Sequence, residues 1–300
     1  MRALFVDGHY YLYRSFYAIR DLTNARGEPT NAIYGFAKAL RKMLAGLRPE
    51  HTAVIWDCGL PARRTRLQPQ YKQNRPPMPD ALRPQVEWLR ENVPLFGPAS
   101  LFLADTEADD LIASYVRAAR QLGMETVIAT NDKDILQLVG EGVSIYSTAK
   151  ADVGSEGYAL LGVAEVEAKW GVCASQIGDV LALTGDASDN IPGIPGVGIK
   201  TAARLIREFG GVEALLACLG EVLPESLREK LAAGREAIFE NRQMVALDEN
   251  LPLPQPVDQL PAQPQTSRLI SALRDCGFQS LLREIEREGT SGATQGSLFE

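Results

Sequence analysis

Acidic residues recur through the chain at places that could hold metal: Asp7, Asp57, Glu107, Asp109, Asp110, Asp132, Asp134, Asp186 and Asp189. So many carboxylates gathered in a low dielectric would repel by several kcal/mol unless cations neutralised them. Hard oxygen donors with no His or Cys beside them select Mg²⁺, with Mn²⁺ able to substitute. Two such ions about 4 Å apart can cut a phosphodiester, one activating water and the other stabilising the leaving oxygen. A single Asp after a strand is ordinarily a turn residue or helix cap, and the Asp109–Asp110 doublet alone would be dipole compensation. Recurrence strand after strand is what those readings leave unexplained. Other chemistry is poorly supplied. The two histidines, His9 and His51, have no partner at ligand spacing. Cys58, Cys173, Cys218 and Cys276 form no C-x-x-C pair, so they read as reduced thiols.

The elements that must position these acids follow from hydrophobic patterning. Segments 2–7, 52–57, 98–103, 125–132 and 143–148 read as strands, and all but the last end on or near an acid. Helices are expected over 31–46, 80–93 and 106–123, with a short one near 133–139, the alternation of a parallel α/β domain. In such sheets ligands bind outside the carboxyl ends of the strands. After about residue 160 the chain turns helix-rich, with helices over 176–184, at the end of 185–210 and within 225–247. A Pro-rich connector spans 251–265, and a last helix runs over 267–287. The expected division is an α/β domain over 1–175, a helical region over 176–287 and an unfolded tail over 288–300.

Two further stretches could hold phosphate. Gly193-Ile-Pro-Gly-Val-Gly-Ile-Lys200-Thr201 fails as a nucleotide P-loop, because Ile199 separates Gly198 from Lys200. It reads as a helix–hairpin–helix in which Gly196 and Gly198 let backbone amides approach a phosphate and Lys200 adds charge. The second is the window between Asp57 and Asp80. It contains no acid but holds Arg63, Arg64, Arg66, Lys72 and Arg75, with Tyr71 beside the last two. A ring next to cations suits an unpaired strand. That concentrated basic window answers the net charge of −7, which taken alone argues against nucleic acid. No apolar run is long enough for a membrane span, and the N-terminus reads as a strand and not a signal peptide, so a cytoplasmic protein is expected.

Taken together, VDGHYYLYRSFYA (6–18), YKQNRPPMP (71–79), EADD (107–110), TNDKD (130–134), GDASDNIPG (185–193) and GIPGVGIKTA (193–202) resemble the 5′→3′ exonuclease domain of bacterial DNA polymerase I and the wider flap endonuclease family. The motifs keep family order across nearly the whole chain. The resemblance implies a PIN-like, mostly parallel sheet with a helical arch around 58–90 and a helix–three-turn–helix module. It also implies that the nine acids are direct or water-mediated metal ligands. Lys72 and Arg75 would steady the scissile phosphate, Tyr71 would stack the adjoining base, and Arg14 would contact phosphate. The hairpin around 193–201, from Gly193 to Thr201, would hold duplex DNA, and the resemblance implies a K⁺ ion there. His9 and Tyr10 stand where the family has small residues, and Asn131 stands for a usual Gly. Both departures lie beside the metal site and bear on substrate detail.

The implied activity is a metal-dependent 5′ nuclease, a monomer acting on 5′ flaps, nicks or free 5′ ends. No polymerase domain follows, so the chain reads as a free-standing nuclease or an excised domain. A structure-specific DNA-binding factor with decayed catalysis is disfavoured because every expected acid is present. A PIN-type ribonuclease would need no helix–hairpin–helix. Finally, Gln295, Leu298 and Phe299 resemble the Q-x-x-L-F peptide by which replication proteins dock on the β sliding clamp.

Overall fold

The computed structural model describes residues 1–149 and 157–296, with 288–296 as backbone alone. Strands β1 (Arg2–Asp7), β2 (His51–Ile55), β3 (Ala99–Leu101), β4 (Glu125–Ala129) and β5 (Val143–Ser147) run parallel in the order β3-β2-β1-β4-β5. A short β6 (Ala159–Leu161) pairs antiparallel to β5. Side chains alternate: Phe5, Ile55 and Ile128 enter one apolar layer, Leu4, Val54 and Val127 the other. Coverage on both faces is why these strands read as continuous apolar runs.

Around the sheet lie α1 (Gly8–Ala18), α2 (Asn31–Leu47), α3 (Ala62–Leu67), α4 (Arg83–Asn92) and α5 (Ala108–Gln121). Helix α1 is absent from the sequence expectation because its aromatic run shows no clear polar face. Asp7 caps it, Oδ1 accepting from the Tyr10 amide at 2.9 Å. The basic window is a polar, Pro-rich stretch that reads in sequence as either a long mobile excursion or a poorly packed helix. It forms α3 and a series of turns fastened to residues 187–190: the Lys72 amide donates to the Asp189 carbonyl at 3.1 Å and Asn74 Nδ2 to the Ala187 carbonyl at 2.7 Å.

The helical region comprises α6 (Val163–Trp170), α7 (Ile177–Thr184), α8 (Ile199–Phe209), α9 (Val212–Ala217), α10 (Glu225–Ala233) and α11 (Arg235–Val245). Beyond it the chain returns to the α/β domain. Tyr115 Oη donates to the Gln255 carbonyl at 2.7 Å, and Thr52 Oγ1 to the Pro261 carbonyl at 2.6 Å. The single last helix expected over 267–287 is instead α12 (Thr266–Asp275) and α13 (Gln279–Gly296), broken at Gly277 with φ +79°. Leu269, Leu273, Phe278 and Leu281 share the apolar layer of α2. Helix α13 also runs past residue 287, where the sequence reading begins a tail.

One glycine of the hairpin has a packing role. A Cβ on Gly193 would stand 2.0 Å from the Thr184 carbonyl oxygen, with no flexible group to give way. Gly193→Ala is therefore expected to lose about 3 kcal/mol of stability, read as a lowered urea midpoint. An unchanged midpoint would contradict this close approach.

Candidate metal centre

The chain leaves β1 toward β2 and later enters β4 on the other side of β1, so strand order reverses between β1 and β4. Crevices form at such switch points. Here a cavity of about 390 Å³ is lined by Asp7, Asp57, Asp109 and Asp132 together with His9, Asn131, Lys72 and Arg75. Asp7 ends β1, and its Oδ2 accepts from Thr130 Oγ1 at 2.9 Å. The same hydroxyl accepts from the Asp132 amide at 3.1 Å, tying the two acids together. Asp57 Oδ1 accepts from the Ala108 amide at 2.7 Å, which sets the first turn of α5 and hence Asp109.

These carboxyls pay for their proximity. Burial and the neighbouring Asp57 push Asp7 up to about 7. Burial, then Asp132, Asp7 and Asp57, raises Asp109 well above the carboxylate range, and burial raises Asp132. Burial lowers His9, whose neutral Nδ1 accepts the Asp57 amide at 3.1 Å.

A second group adjoins the first. One carboxylate oxygen from each of Asp134, Asp186 and Asp189 lies within 4.8 Å of the others. The Asp134 amide donates to Asp132 Oδ1 at 2.9 Å, linking the groups. Asp134 is raised by burial and by Asp132, Asp186 and Asp189. Burial would raise Asp186 too, but hydrogen bonds from Ser188 and the charge of Lys133, 3.1 Å away, hold it below the ordinary range. Asp134 Oδ1 is buried without a hydrogen-bond partner. An orphaned buried carboxylate oxygen inside a cluster of acids fits a divalent cation, and the all-oxygen donor set fits Mg²⁺ or Mn²⁺.

Glu107 and Asp110, expected among the ligands, lie differently. Glu107 receives Arg64 Nη1 at 2.6 Å, Tyr71 Oη at 3.0 Å and the Lys72 ammonium. Asp110 receives Arg64 on both oxygens, at 2.5 and 2.9 Å. Two expectations are corrected by burial. Arg64, read as a DNA contact, is 3% exposed and spent on these acids. Tyr71, read as a stacking ring, is 4% exposed, and its hydroxyl also reaches Asp189 at 3.0 Å, so no base can stack on it in this arrangement. Lys72 and Arg75 do line the cavity, Arg75 paired with Asp189.

Arg14 also lines the cavity and donates to Thr148 Oγ1 at 2.7 Å. Arg66 is exposed on α3, while Arg63 donates to the Ala246 carbonyl. Gly196, Gly198 and Lys200 are exposed and Thr201 half-exposed where α8 begins. Gly193 is half-buried against Thr184. Leu298 and Phe299 lie outside the described residues, as does the side chain of Gln295. Thr130, Lys133 and His9 were missed as supports of the acids. Thr130 and Lys133 sit inside the TNDKD motif and His9 inside VDGHYYLYRSFYA, so the position of each beside an acid is a signal.

A parallel sheet with clustered carboxylates at its switch point, buried cations against them and a glycine hairpin opening a helix is an arrangement suited to metal-dependent cleavage of a phosphodiester. The chain belongs to the 5′–3′ exonuclease family: residues 2–171 match its N-terminal resolvase-like domain and residues 172–268 its C-terminal SAM fold. It is 42% identical over 252 residues to a thermostable DNA polymerase I of Thermus thermophilus, covering 84% of this chain and 29% of that protein. Identity to DNA polymerase I of Bacillus subtilis is 34% over 298 residues, covering 99% and 34%. The chain thus spans about a third of the length of these relatives. In fold it is similar to the T5 D15 protein co-crystallised with metal ions, at TM-score 0.65, 21% identity and coverage of 96% and 98%. It is also similar to the catalytic core of Rad2 in complex with DNA substrate, at TM-score 0.61, 17% identity and coverage of 94% and 90%. Among the described residues no helix is long and apolar enough to cross a membrane.

Proposed function

We propose that this chain is a structure-specific 5′ nuclease that hydrolyses DNA at flaps, nicks or 5′ ends with Mg²⁺, leaving 5′-phosphate and 3′-hydroxyl ends in replication or repair. The observation that carries this reading is the pair of linked acid groups, with the unpartnered Asp134 Oδ1 in the second of them. Asp7, Asp57, Asp109 and Asp132 would hold one ion and Asp134, Asp186 and Asp189 the other. When bound, the ions supply activated water and neutralise the leaving oxygen. Lys72 and Arg75 bind the scissile phosphate in the same cavity, and Arg14 a neighbouring one. The amides and Lys200 at the start of α8 hold the duplex backbone, where K⁺ can assist. The four cysteines are all unpaired, in keeping with a reducing cytoplasm.

A duplex with a 3′-labelled 5′ flap tests the reading. Cutting near the junction in Mg²⁺, abolished by EDTA, is expected. Tight binding without cutting in Mg²⁺ and Mn²⁺ would favour a binding factor, and preferred cutting of structured RNA a ribonuclease.

The tail is proposed to tether the nuclease to the sliding clamp through Gln295, Leu298 and Phe299. Tethering raises local concentration at junctions without a new catalytic contact. Removing residues 295–300 is expected to abolish binding to immobilised clamp while hydrolysis of unattached flaps continues. Equal clamp affinity with and without the tail would end this idea.

A further inference from the structure

Arg64 uses all five of its N–H groups, although it sits on the short helix α3. Nη1 donates to Glu107 Oε2 at 2.6 Å and Asp110 Oδ2 at 2.5 Å. Nη2 donates to Asp110 Oδ1 at 2.9 Å and the Ala246 carbonyl at 3.1 Å, and Nε to the Met244 carbonyl at 2.8 Å. One buried guanidinium thus joins two expected metal ligands to the end of α11, about 180 residues away in sequence.

Asp110 is equally committed. Besides Arg64 it accepts the Asp248 amide at 2.9 Å. Ser114, one turn along α5, donates to the Asp248 carbonyl at 2.9 Å and accepts the Leu251 amide at 3.0 Å. Asp109 lines the cavity and Asp110 does not. Consecutive helical side chains diverge by about 100°, so the doublet cannot aim both carboxylates at one ion.

We infer that Arg64 is a positioning residue for the nuclease reaction and that Asp110 is its counter-ion, not a metal ligand. Arg64 acts through Glu107, which also receives Tyr71 and Lys72. Its carbonyl contacts keep this assembly in register with the helical region that grips duplex. The inference rests on the proposed nuclease reading.

The test is a double-mutant cycle read with metal binding. Mn²⁺ bound per chain is counted by electron paramagnetic resonance in the parent, Asp109→Asn and Asp110→Asn. Asp110→Asn is expected to match the parent and Asp109→Asn to bind less. Arg64→Ala and Asp110→Ala are each expected to lower the single-turnover rate about a hundredfold, the scale of misplacing a reacting group by an ångström. Flap affinity in Ca²⁺ should change less than about threefold, and the double variant should be no slower than the worse single one. Arg64→Lys should stay slow, since an ammonium cannot bridge two carboxylates and two carbonyls with a planar fork. Loss of Mn²⁺ in Asp110→Asn, or losses that multiply in the double variant, would overturn the assignment. Should Arg64→Ala fail to fold, the Mn²⁺ count still decides. An inactive parent would count against the nuclease reading, while the Mn²⁺ count would still test Asp110.

Discussion

Asp109→Asn is expected to cut a 5′ flap at least about a thousandfold more slowly than the parent, a loss of about 4 kcal/mol from the transition state. The substitution keeps the shape of the side chain and removes only its charge. Asp109 lies in the first turn of α5, set there by the Asp57–Ala108 hydrogen bond, and it faces Asp7, Asp57 and Asp132. A neutral amide is a poor ligand for a hard divalent ion, so one ion is weakened where the reaction needs it. The same change relieves repulsion among buried carboxylates, so melting in EDTA should move upward. Activity falling while metal-free stability rises separates a ligand from a structural residue. A rate within tenfold of the parent, or a lower melting point in EDTA, would contradict the assignment.

Without divalent ions, stability is expected to fall as pH rises from about 4 to about 7, the window set by Asp7. Burial and Asp57 raise this carboxyl from 3.8 to about 7 in the folded protein. Below 3.8 it is protonated in both states. Between the two values the folded state keeps a proton that the unfolded state has released, so unfolding releases protons and rising pH favours it. The loss is complete above the folded value and is on the order of 4 kcal/mol for Asp7 alone. Asp109, Asp132 and Asp134 shift the same way. Asp186, held low, opposes them, adding stability as pH rises through the acid range. Mg²⁺ at pH 8 should recover part of the loss, about 2.7 kcal/mol per bound ion at a hundred times its dissociation constant. Urea unfolding from pH 4 to 8, in EDTA and in Mg²⁺, measures both effects. A metal-free protein most stable at pH 8 would refute the buried cluster.

Much of this was readable from residues. The strands announce themselves as apolar runs, and an acid on or near the end of all but the last predicts a shared crevice because parallel strands present their carboxyl ends on one edge. What the pattern could not carry was orientation. Asp109 and Asp110 are equivalent in composition, and only the direction of α5 sends one to the cavity and the other to Arg64. Arg64 and Tyr71 looked like surface groups because their neighbours are basic and polar. Their burial depends on Glu107, Asp110 and residues 244–246, distant partners that local sequence does not reveal. The return of the chain after residue 250, which adds α12 to the apolar layer that holds α2, is likewise a tertiary event, visible beforehand only as a Pro-rich connector.

The most direct test of the central claim is anomalous scattering from crystals grown with Mn²⁺. Two peaks are expected, one among Asp7, Asp57, Asp109 and Asp132 and one among Asp134, Asp186 and Asp189, about 4 Å apart as two-metal chemistry requires. Mn²⁺ absent from both groups, or bound only elsewhere on the protein, would contradict the account.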